Sequence, residues 1–277
     1  MQVLFDGDVV VYRAGFAAEK MHYYVQDKDG ETHDFTQKRE ALSFIERNTD
    51  LGPVLVGSER IVEPVEHAIY NAKSIITSSL EALGASEDDL VVVLSGPTNF
   101  RNGVATTKPY KGNRDPTHRP VHGPDILEYL RKRFHVVVSE DEEADDVLGY
   151  TQYATWEADP FGSVICSIDK DLDMIPGLHY NFRDEKSYVV MPEDADWYFW
   201  KQMLTGDTVD NIPGVPGVGP KTAQHVLAGV PPSKYFEKVR TLYVQGYGEQ
   251  ADDRLLEMGR LLWIRRHPNE WWTPPEA

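Results

Sequence analysis

The chain has 277 residues, of which 41% are hydrophobic and 11% aromatic, and its 45 acidic and 28 basic residues give a formal net charge of -17. This composition predicts a globular protein with one large core, or one core plus an appended subdomain. Because no apolar run is long enough for a membrane span or a secretory leader, and the single Cys166 cannot form an internal disulfide, we expect a cytoplasmic protein with no membrane partner.

Strands and helices alternate along the chain, which predicts an α/β fold with a mostly parallel central sheet covered by helices. The first strand is expected over Gln2 to Phe5 and ends at Asp6, and a helix follows over Val9 to Ala18. The segment from Tyr23 to Phe35 alternates around a DKDG turn and predicts a β-hairpin, with Thr36 capping the next helix. The following expected elements are a helix over Glu63 to Leu83 and strands over Leu90 to Leu94 and Val136 to Val138.

The second half of the chain continues this alternation. The apolar stretch SVICSI predicts a strand that delivers Asp169 and Asp171 at its carboxyl end. A hairpin at the sheet edge is expected over His179 to Val190. A helix over Pro192 to Leu204, ending in Gly206, then leads to a helical tail.

Nine carboxylates stand in four stretches, each at the end of a predicted strand or the start of a predicted helix. The carboxyl ends of neighbouring parallel strands meet in one crevice, so we expect these side chains to lie together. Gathered carboxylates repel one another, and Mg²⁺ or Mn²⁺, which prefer oxygen ligands, would relieve that repulsion. The nine are Asp6, Asp8, Glu143, Asp145, Asp146, Asp169, Asp171, Asp207 and Asp210.

The last carboxylate pair leads directly into a glycine-rich turn and a new helix. Glycines allow a tight turn, and proline suits the first helical position. A helix N-terminus with an adjacent lysine predicts a phosphate-binding site that reads no base sequence, and an ordinary helix–turn–helix corner is the alternative. The residues concerned are Gly214, Gly217, Gly219, Pro220, Lys221 and Thr222.

Four motifs in the chain resemble the metal-dependent 5′ nucleases, a family of phage 5′→3′ exonucleases, flap endonucleases and the 5′-nuclease domain of bacterial DNA polymerase I. They are LFDGDVVVYRA, FRNGVATTKPYKGNRD, the pair EEADDVLGY and SIDKDLD, and TGDTVDNIPGVPGVGPKTA. The resemblance covers most of the chain outside about Met21 to Ala85. It implies a PIN-like 5′-nuclease core over 1–191, with an arch-base region at about 101–135, and a helix–three-turn–helix region over 192–277 packed on the core.

The resemblance also implies an activity. It is hydrolysis of DNA phosphodiester bonds by a 5′→3′ exonuclease that also cuts 5′ flaps. The DGD opening and the chain length are most similar to the exonucleases of T7-like phages, which implies a role in phage DNA replication, recombination or primer removal in the host cytoplasm. The implied substrate is duplex DNA, or an RNA–DNA hybrid, with 5′ ends or flaps. The implied cofactors are two Mg²⁺, replaceable by Mn²⁺, and K⁺ at the helix–three-turn–helix turn.

Carried over residue by residue, the resemblance assigns roles to the motif residues. One metal would be held by Asp6, Glu143, Asp145 and Asp146, and the second by Asp169, Asp171 and Asp210, with Asp207 acting through water. Lys111 and Arg114 would support the scissile phosphate, so that the implied catalytic set is Lys111, Arg114, Asp6 and Asp169. The implied DNA contacts also include Arg13, Arg101, Gly217, Gly219, Lys221, Thr222 and Tyr110, whose ring would stack on a terminal base.

The strand VVVL marks one departure from the family, which usually has an aspartate after it where this chain has Ser95 and Gly96. Either a water replaces that carboxylate or Asp8 takes part of its role. Two alternatives stay open. One is a structure-specific DNA-binding scaffold with impaired catalysis. The other is an aspartate-nucleophile phosphatase using Asp6 as nucleophile and Asp8 as acid, which leaves the glycine turn and the YKGNR motif unexplained.

Overall fold

The structure is a computed structural model that describes residues 1–115 and 117–275. In chain order, these residues form the strands β1 (Gln2–Asp6), β2 (Glu19–Gln26), β3 (Thr32–Phe35), β4 (Val54–Val62), β5 (Leu90–Leu94), β6 (Val136–Val138), β7 (Ser163–Cys166), β8 (Gly177–Asn181), β9 (Lys186–Val190), β10 (Gly206–Asp207) and β11 (Ile212–Pro213). The helices are α1 (Gly7–Ala17), α2 (Lys38–Arg47), α3 (Val65–Leu83), α4 (Arg101–Val104), α5 (Gly123–Arg133), α6 (Ala144–Ala158), α7 (Pro192–Thr205), α8 (Pro220–Leu227), α9 (Tyr235–Tyr247) and α10 (Ala251–Leu262).

The chain forms two compact units. The first comprises Met1–Val9, Ile76–His118 and Leu130–Ala277, and the second Val10–Ile75 and Arg119–Tyr129. The boundary expected between 191 and 192 stays a prediction. Within the first unit, Leu4 of β1, Phe199 of α7 and Tyr243 of α9 belong to one buried cluster.

A six-stranded sheet forms the centre of the first unit, in the order β6-β5-β1-β7-β8-β9. All neighbouring strands are parallel except the edge pair β8–β9. Val3, Leu4 and Phe5 of β1 are buried together, as expected for a strand covered on both faces. The structure confirms the predicted α/β class, the mainly parallel sheet and the antiparallel edge hairpin.

The second unit contains an antiparallel sheet in the order β3-β2-β4. The hairpin predicted over Tyr23 to Phe35 is confirmed, but β4 was not predicted. Eight of its nine residues are exposed, so its sequence lacks the buried alternation that reveals a strand. Thr36 is not the cap of α2, because the helix begins at Lys38 and Gln37 holds the N-cap position without a side-chain hydrogen bond.

The backbone segments at Gly206 and Gly214 approach each other closely before the C-terminal glycine turn. Gly206 has φ of 66°, and a Cβ there would lie 2.3 Å from the Gly214 nitrogen, so only glycine fits. The short pair β10–β11 forms at this point and places Asp207 opposite Ile212. Helix α8 then begins at Pro220, as predicted. None of the helices within 1–115 and 117–275 is both long and apolar enough to cross a membrane.

Candidate active site

Three neighbouring parallel strands of the first unit end side by side. Asp6 is the last residue of β1, Ser95 follows β5, and Ser167 follows β7. The Ser167 hydroxyl donates a hydrogen bond to Asp6 Oδ2 at 2.7 Å, and the Val9 N–H donates to Asp6 Oδ1 at 3.1 Å. Burial, followed by repulsion from Asp8, raises the pKa of Asp6 to about 7.

Asp8 lies in front of the position where the family aspartate is missing. The Ser95 N–H is 3.3 and 3.2 Å from the two Asp8 carboxylate oxygens, and the Ser95 hydroxyl accepts from the Ala144 N–H at 3.0 Å. Gly96 has no room for a side chain, because a Cβ would lie 2.2 Å from the Ser139 carbonyl oxygen. The local backbone therefore excludes a carboxylate at position 96 and binds that of Asp8 instead.

The first turn of α6 carries two adjacent aspartates with opposite environments. Asp146 is fully buried and accepts hydrogen bonds from Arg101 Nη1 and Nη2 at 2.6 and 2.9 Å. The N–H groups of Arg265 and Glu143 donate to it as well. Burial alone would raise the pKa of Asp146, but the Arg101 guanidinium outweighs burial and the pKa is lowered. This geometry favours a structural role for Asp146 over the predicted role as a metal ligand.

Asp145 is half-buried and receives no hydrogen bond from any residue that the structure describes. Burial, then the charges of Asp6 and Asp169, raise the pKa of its carboxyl well above the usual value. A carboxylate that lacks a donor and faces other carboxylates fits a divalent cation, which would supply the missing positive charge.

Arg101, a predicted DNA contact, is buried in the structure. It is 2% exposed, and besides Asp146 it donates to the carbonyl oxygens of Leu261 and Trp263 at 2.9 and 2.7 Å. Its donors are thus directed into the protein, where they link α4 to α6 and to the end of α10. The arrangement favours a structural role.

The stretch after β7 forms the second carboxylate group. The Asp171 N–H donates to Asp169 Oδ1 at 2.9 Å, and Gln202 Nε2 of α7 donates to Asp171 Oδ1 at 2.6 Å. Burial, then repulsion from Asp169 and Asp207, raise the pKa of Asp171 to about 7. Asp207 Oδ1 accepts from the Val209 N–H at 2.7 Å and so also shapes its own turn.

The YKGNR motif brings two cations to these carboxylates. The Lys111 ammonium group binds Glu143 and lies 3.6 Å from Asp210 Oδ2, while Arg114 Nη2 lies 2.5 Å from Asp210 Oδ1. Burial would lower the pKa of Lys111, but Glu143 and Asp210 outweigh burial and raise it. The Tyr110 hydroxyl lies 2.8 Å from Glu143 Oε2 and 2.9 Å from Asp210 Oδ2. Tyr110 is 9% exposed, and the stacking of its ring on a terminal base stays a prediction.

The other predicted DNA contacts are exposed residues. Gly217, Gly219, Lys221 and Thr222 are exposed at the start of α8. No hydrogen bond or ion pair among the described residues joins them to the carboxylates. Arg13 is exposed on α1 and belongs to the second compact unit.

Sequence reasoning missed the polar side chains that hold the site. Ser167 and Gln202 bind the carboxylates directly, and two asparagines, Asn113 and Asn211, join the loops that carry Lys111 and Asp210. Their positions in the sequence could have identified them. Ser167 lies between the strand SVIC and Asp169, and each asparagine lies inside one of the four motifs.

The carboxylates of the site are not drawn into one tight cluster. Within the described residues, three potential ligand atoms come within 4.8 Å of one another only at Asp27, Glu31 and His33 of the β2–β3 hairpin. There, Asp27 Oδ1 accepts hydrogen bonds from the backbone N–H groups of Asp29 and Glu31, and His33 Nε2 lies 3.5 Å from Asp27 Oδ2.

Curated proteins similar in sequence to this chain include DNA polymerase I, a flap endonuclease and an exonuclease. No family model matches the chain. DNA polymerase I of Bacillus subtilis (strain 168) is 30% identical over 219 residues, which are 69% of this chain and 22% of the polymerase. Flap endonuclease Xni of Vibrio campbellii (strain ATCC BAA-1116) is 31% identical over 173 residues, 55% of this chain and 62% of that protein. The exonuclease of Escherichia phage T7 is 28% identical over 141 residues, 50% of this chain and 46% of that protein. The chain thus spans less than two thirds of the length of each relative.

Solved structures share the fold at low sequence identity. A bacteriophage T5 flap endonuclease in a complex with DNA and metal ions has a TM-score of 0.53 and 15% identity, with 94% of this chain and 98% of that chain covered. The T5 5′-exonuclease with bound divalent zinc has a TM-score of 0.52 and 16% identity, with 94% and 97% covered. The fold is therefore that of the 5′ nucleases. Together with the named relatives, it confirms the 5′ nuclease family that the motifs indicated.

The structural role of Arg101 predicts the effect of removing it. Arg101→Met should lower the free energy of unfolding by about 3–5 kcal/mol, because Asp146 would remain buried without its cation. Urea unfolding measures this loss. The double variant Arg101→Met/Asp146→Asn should recover part of it, since no unpaired charge remains. A single variant within about 0.5 kcal/mol of the unmodified protein would contradict the assignment.

The raised pKa of Asp6 predicts a pH-dependent effect on stability. Folding raises this pKa from 3.8 to about 7, so the folded metal-free protein loses stability through Asp6 as the pH rises from about 4 through 7. In EDTA, Asp6→Asn should therefore raise the unfolding temperature by about 2–4 °C at pH 8 and by less at pH 5. The exposed Asp194→Asn serves as control. Equal shifts at both pH values for Asp6→Asn would count against the burial of an unfavourable charge.

Proposed function

We propose that this chain is a metal-dependent 5′ nuclease that hydrolyses DNA phosphodiester bonds from 5′ ends and cuts 5′ flaps. The observation that carries the proposal is the Asp145 carboxylate, which has no described hydrogen-bond donor and faces Asp6 and Asp169. Relatives named exonuclease and flap endonuclease support it, as does the shared fold of a flap endonuclease solved with DNA and metal ions.

The residues of the site fit divalent cations with oxygen ligands. Asp6, Glu143 and Asp145 would hold one ion, with Asp8 replacing the family aspartate, while Asp146 orients α6 through Arg101. Asp169, Asp171 and Asp210 would hold the second ion, with Asp207 acting through water. Two such ions would activate a water molecule and stabilise the leaving oxygen of an in-line displacement.

Lys111 and Arg114 supply positive charge beside these carboxylates. The raised pKa keeps the Lys111 ammonium group charged at neutral pH, where it can bind a phosphate oxygen that gains charge during bond cleavage. The Arg114 side chain is 49% exposed and can reach the phosphate of a substrate entering from solvent. The exposed N-terminus of α8, with Lys221 and Thr222, would bind the duplex backbone.

Magnesium is the ion that we propose for the native enzyme, with manganese able to substitute and potassium at the glycine turn before α8. The proposed substrate is duplex DNA, or an RNA–DNA hybrid, with a 5′ end or flap. The role in phage DNA replication, recombination or primer removal and the cytoplasmic location stay predictions.

The phosphatase alternative conflicts with the surroundings of Asp6. This residue is 1% exposed, and both of its carboxylate oxygens accept hydrogen bonds, from Val9 and Ser167. A phosphatase would need one of these oxygens to reach a phosphorus atom, and it would leave the glycine turn and the YKGNR motif unexplained.

Digestion of 5′-labelled duplex and 5′-flap DNA in Mg²⁺ tests the proposed function. The unmodified protein should release short 5′ products, and Asp169→Asn should lower the rate about 10²-fold or more while flap binding survives. The exposed Asp194→Asn, a matched change outside the site, should cleave normally.

Each competing outcome identifies an alternative. Flap binding without cleavage in either Mg²⁺ or Mn²⁺ would support the DNA-binding scaffold. Hydrolysis of a small phosphomonoester with covalent labelling of Asp6 would support the phosphatase. Normal cleavage by Asp169→Asn would contradict the proposed metal site.

A further inference from the structure

Two asparagine side chains join the loop that carries Lys111 to the loop that carries Asp210. Asn113 Nδ2 donates to the Thr208 carbonyl oxygen at 2.7 Å, and Asn211 Nδ2 donates to the Pro109 carbonyl oxygen at 2.9 Å. Each loop thus gives one side-chain amide to the backbone of the other. Because both acceptors are carbonyl oxygens, only the NH₂ end of each amide can make these bonds. We call this pair of hydrogen bonds the asparagine clamp.

The backbone of Lys111 lies between these two bonds. Its N–H donates to the Asp210 carbonyl oxygen at 2.9 Å. Lys111 has φ of 54°, in the left-handed region, which a lysine rarely adopts and which persists only when surrounding contacts hold it. Asn211 also lies in this region, with φ of 61°, a conformation that asparagine tolerates better.

This backbone conformation directs the lysine side chain. Its ammonium group contacts both Glu143 and Asp210, which belong to the two proposed metal-binding groups. If Lys111 returned to a negative φ, its side chain would leave the carboxylates, and the proposed contact with the scissile phosphate would be lost.

We propose that Asn113 and Asn211 are positioning residues that hold Lys111 in its left-handed conformation and so direct its ammonium group into the active site. The inference rests on the proposed nuclease function. The two asparagines act through Lys111. Both clamp bonds are solvent-exposed, so their loss should change global stability little. It should loosen the loop that carries Lys111 and lower turnover.

The test uses Asn113→Ala, Asn211→Gly and the double variant, because glycine accepts the backbone conformation of Asn211 without the amide. The double variant should lower kcat about tenfold, because the Lys111 ammonium group would no longer be held in the active site. KM for flap DNA should change by less than about twofold, which separates turnover from binding. Asn102→Ala is the control, an exposed asparagine in the same motif with no side-chain hydrogen bond among the described residues.

A double-mutant cycle with Lys111→Ala separates positioning from a general structural effect. If the clamp acts through Lys111, removing both amides from the Lys111→Ala protein should lower kcat by less than about twofold. An equal loss in both backgrounds would overturn the proposal. An unchanged kcat in Lys111→Ala would also overturn the proposal. In that case, cleavage by the unmodified protein would still support the nuclease function.

Amide hydrogen exchange tests the clamp independently of activity. Exchange in a peptide spanning 109–115 should be faster in the double variant than in the unmodified protein or Asn102→Ala, and an unchanged rate would overturn the proposal. If the unmodified protein cleaves no DNA, the nuclease function fails, and this exchange rate alone decides whether the clamp holds the loop.

Discussion

Repulsion among carboxylates that are poorly hydrated is the constraint around which the first compact unit is arranged. Parallel strands ending side by side bring Asp6 close to Asp169, and the start of α6 adds Asp145. Serine, glutamine and backbone N–H groups stabilise part of this charge, and Lys111 and Arg114 balance another part. The balance is incomplete, since the pKa of Asp6 and of Asp171 still lies at about 7. Divalent cations would complete it.

The two adjacent aspartates of α6 have different roles, one in folding and one at the proposed cation site. Successive residues of an α-helix point about 100° apart, so Asp146 faces the core while Asp145 faces the other carboxylates. Arg101 holds the pKa of Asp146 down, whereas burial and then the nearby negative charges hold the pKa of Asp145 up. One acid of the motif therefore links α6 to α4 and the end of α10, and the other remains available to a cation.

The sequence predicted the elements whose residues are buried in a regular pattern, including β1, β5 and the edge hairpin β8–β9. It missed β4, whose apolar residues remain exposed. For the site, residue types at strand ends predicted Asp6 and Asp169, because strand ends share one edge of the sheet. The partners of Arg101 were not predictable, since Leu261 is 160 residues away and its acceptor is a backbone carbonyl. Nor does a motif reveal that Asn113 and Asn211 bind each other's loops.

Calorimetric titration of Mn²⁺ into the protein measures cation binding without DNA or turnover, and it therefore tests whether these carboxylates form a cation site. We expect saturable binding by the unmodified protein and by the exposed control Asp194→Asn. Binding should be weakened about 10-fold or more by Asp145→Asn, which removes a proposed metal ligand. Equal binding by Asp145→Asn and the unmodified protein would contradict the claim that these carboxylates form a cation site.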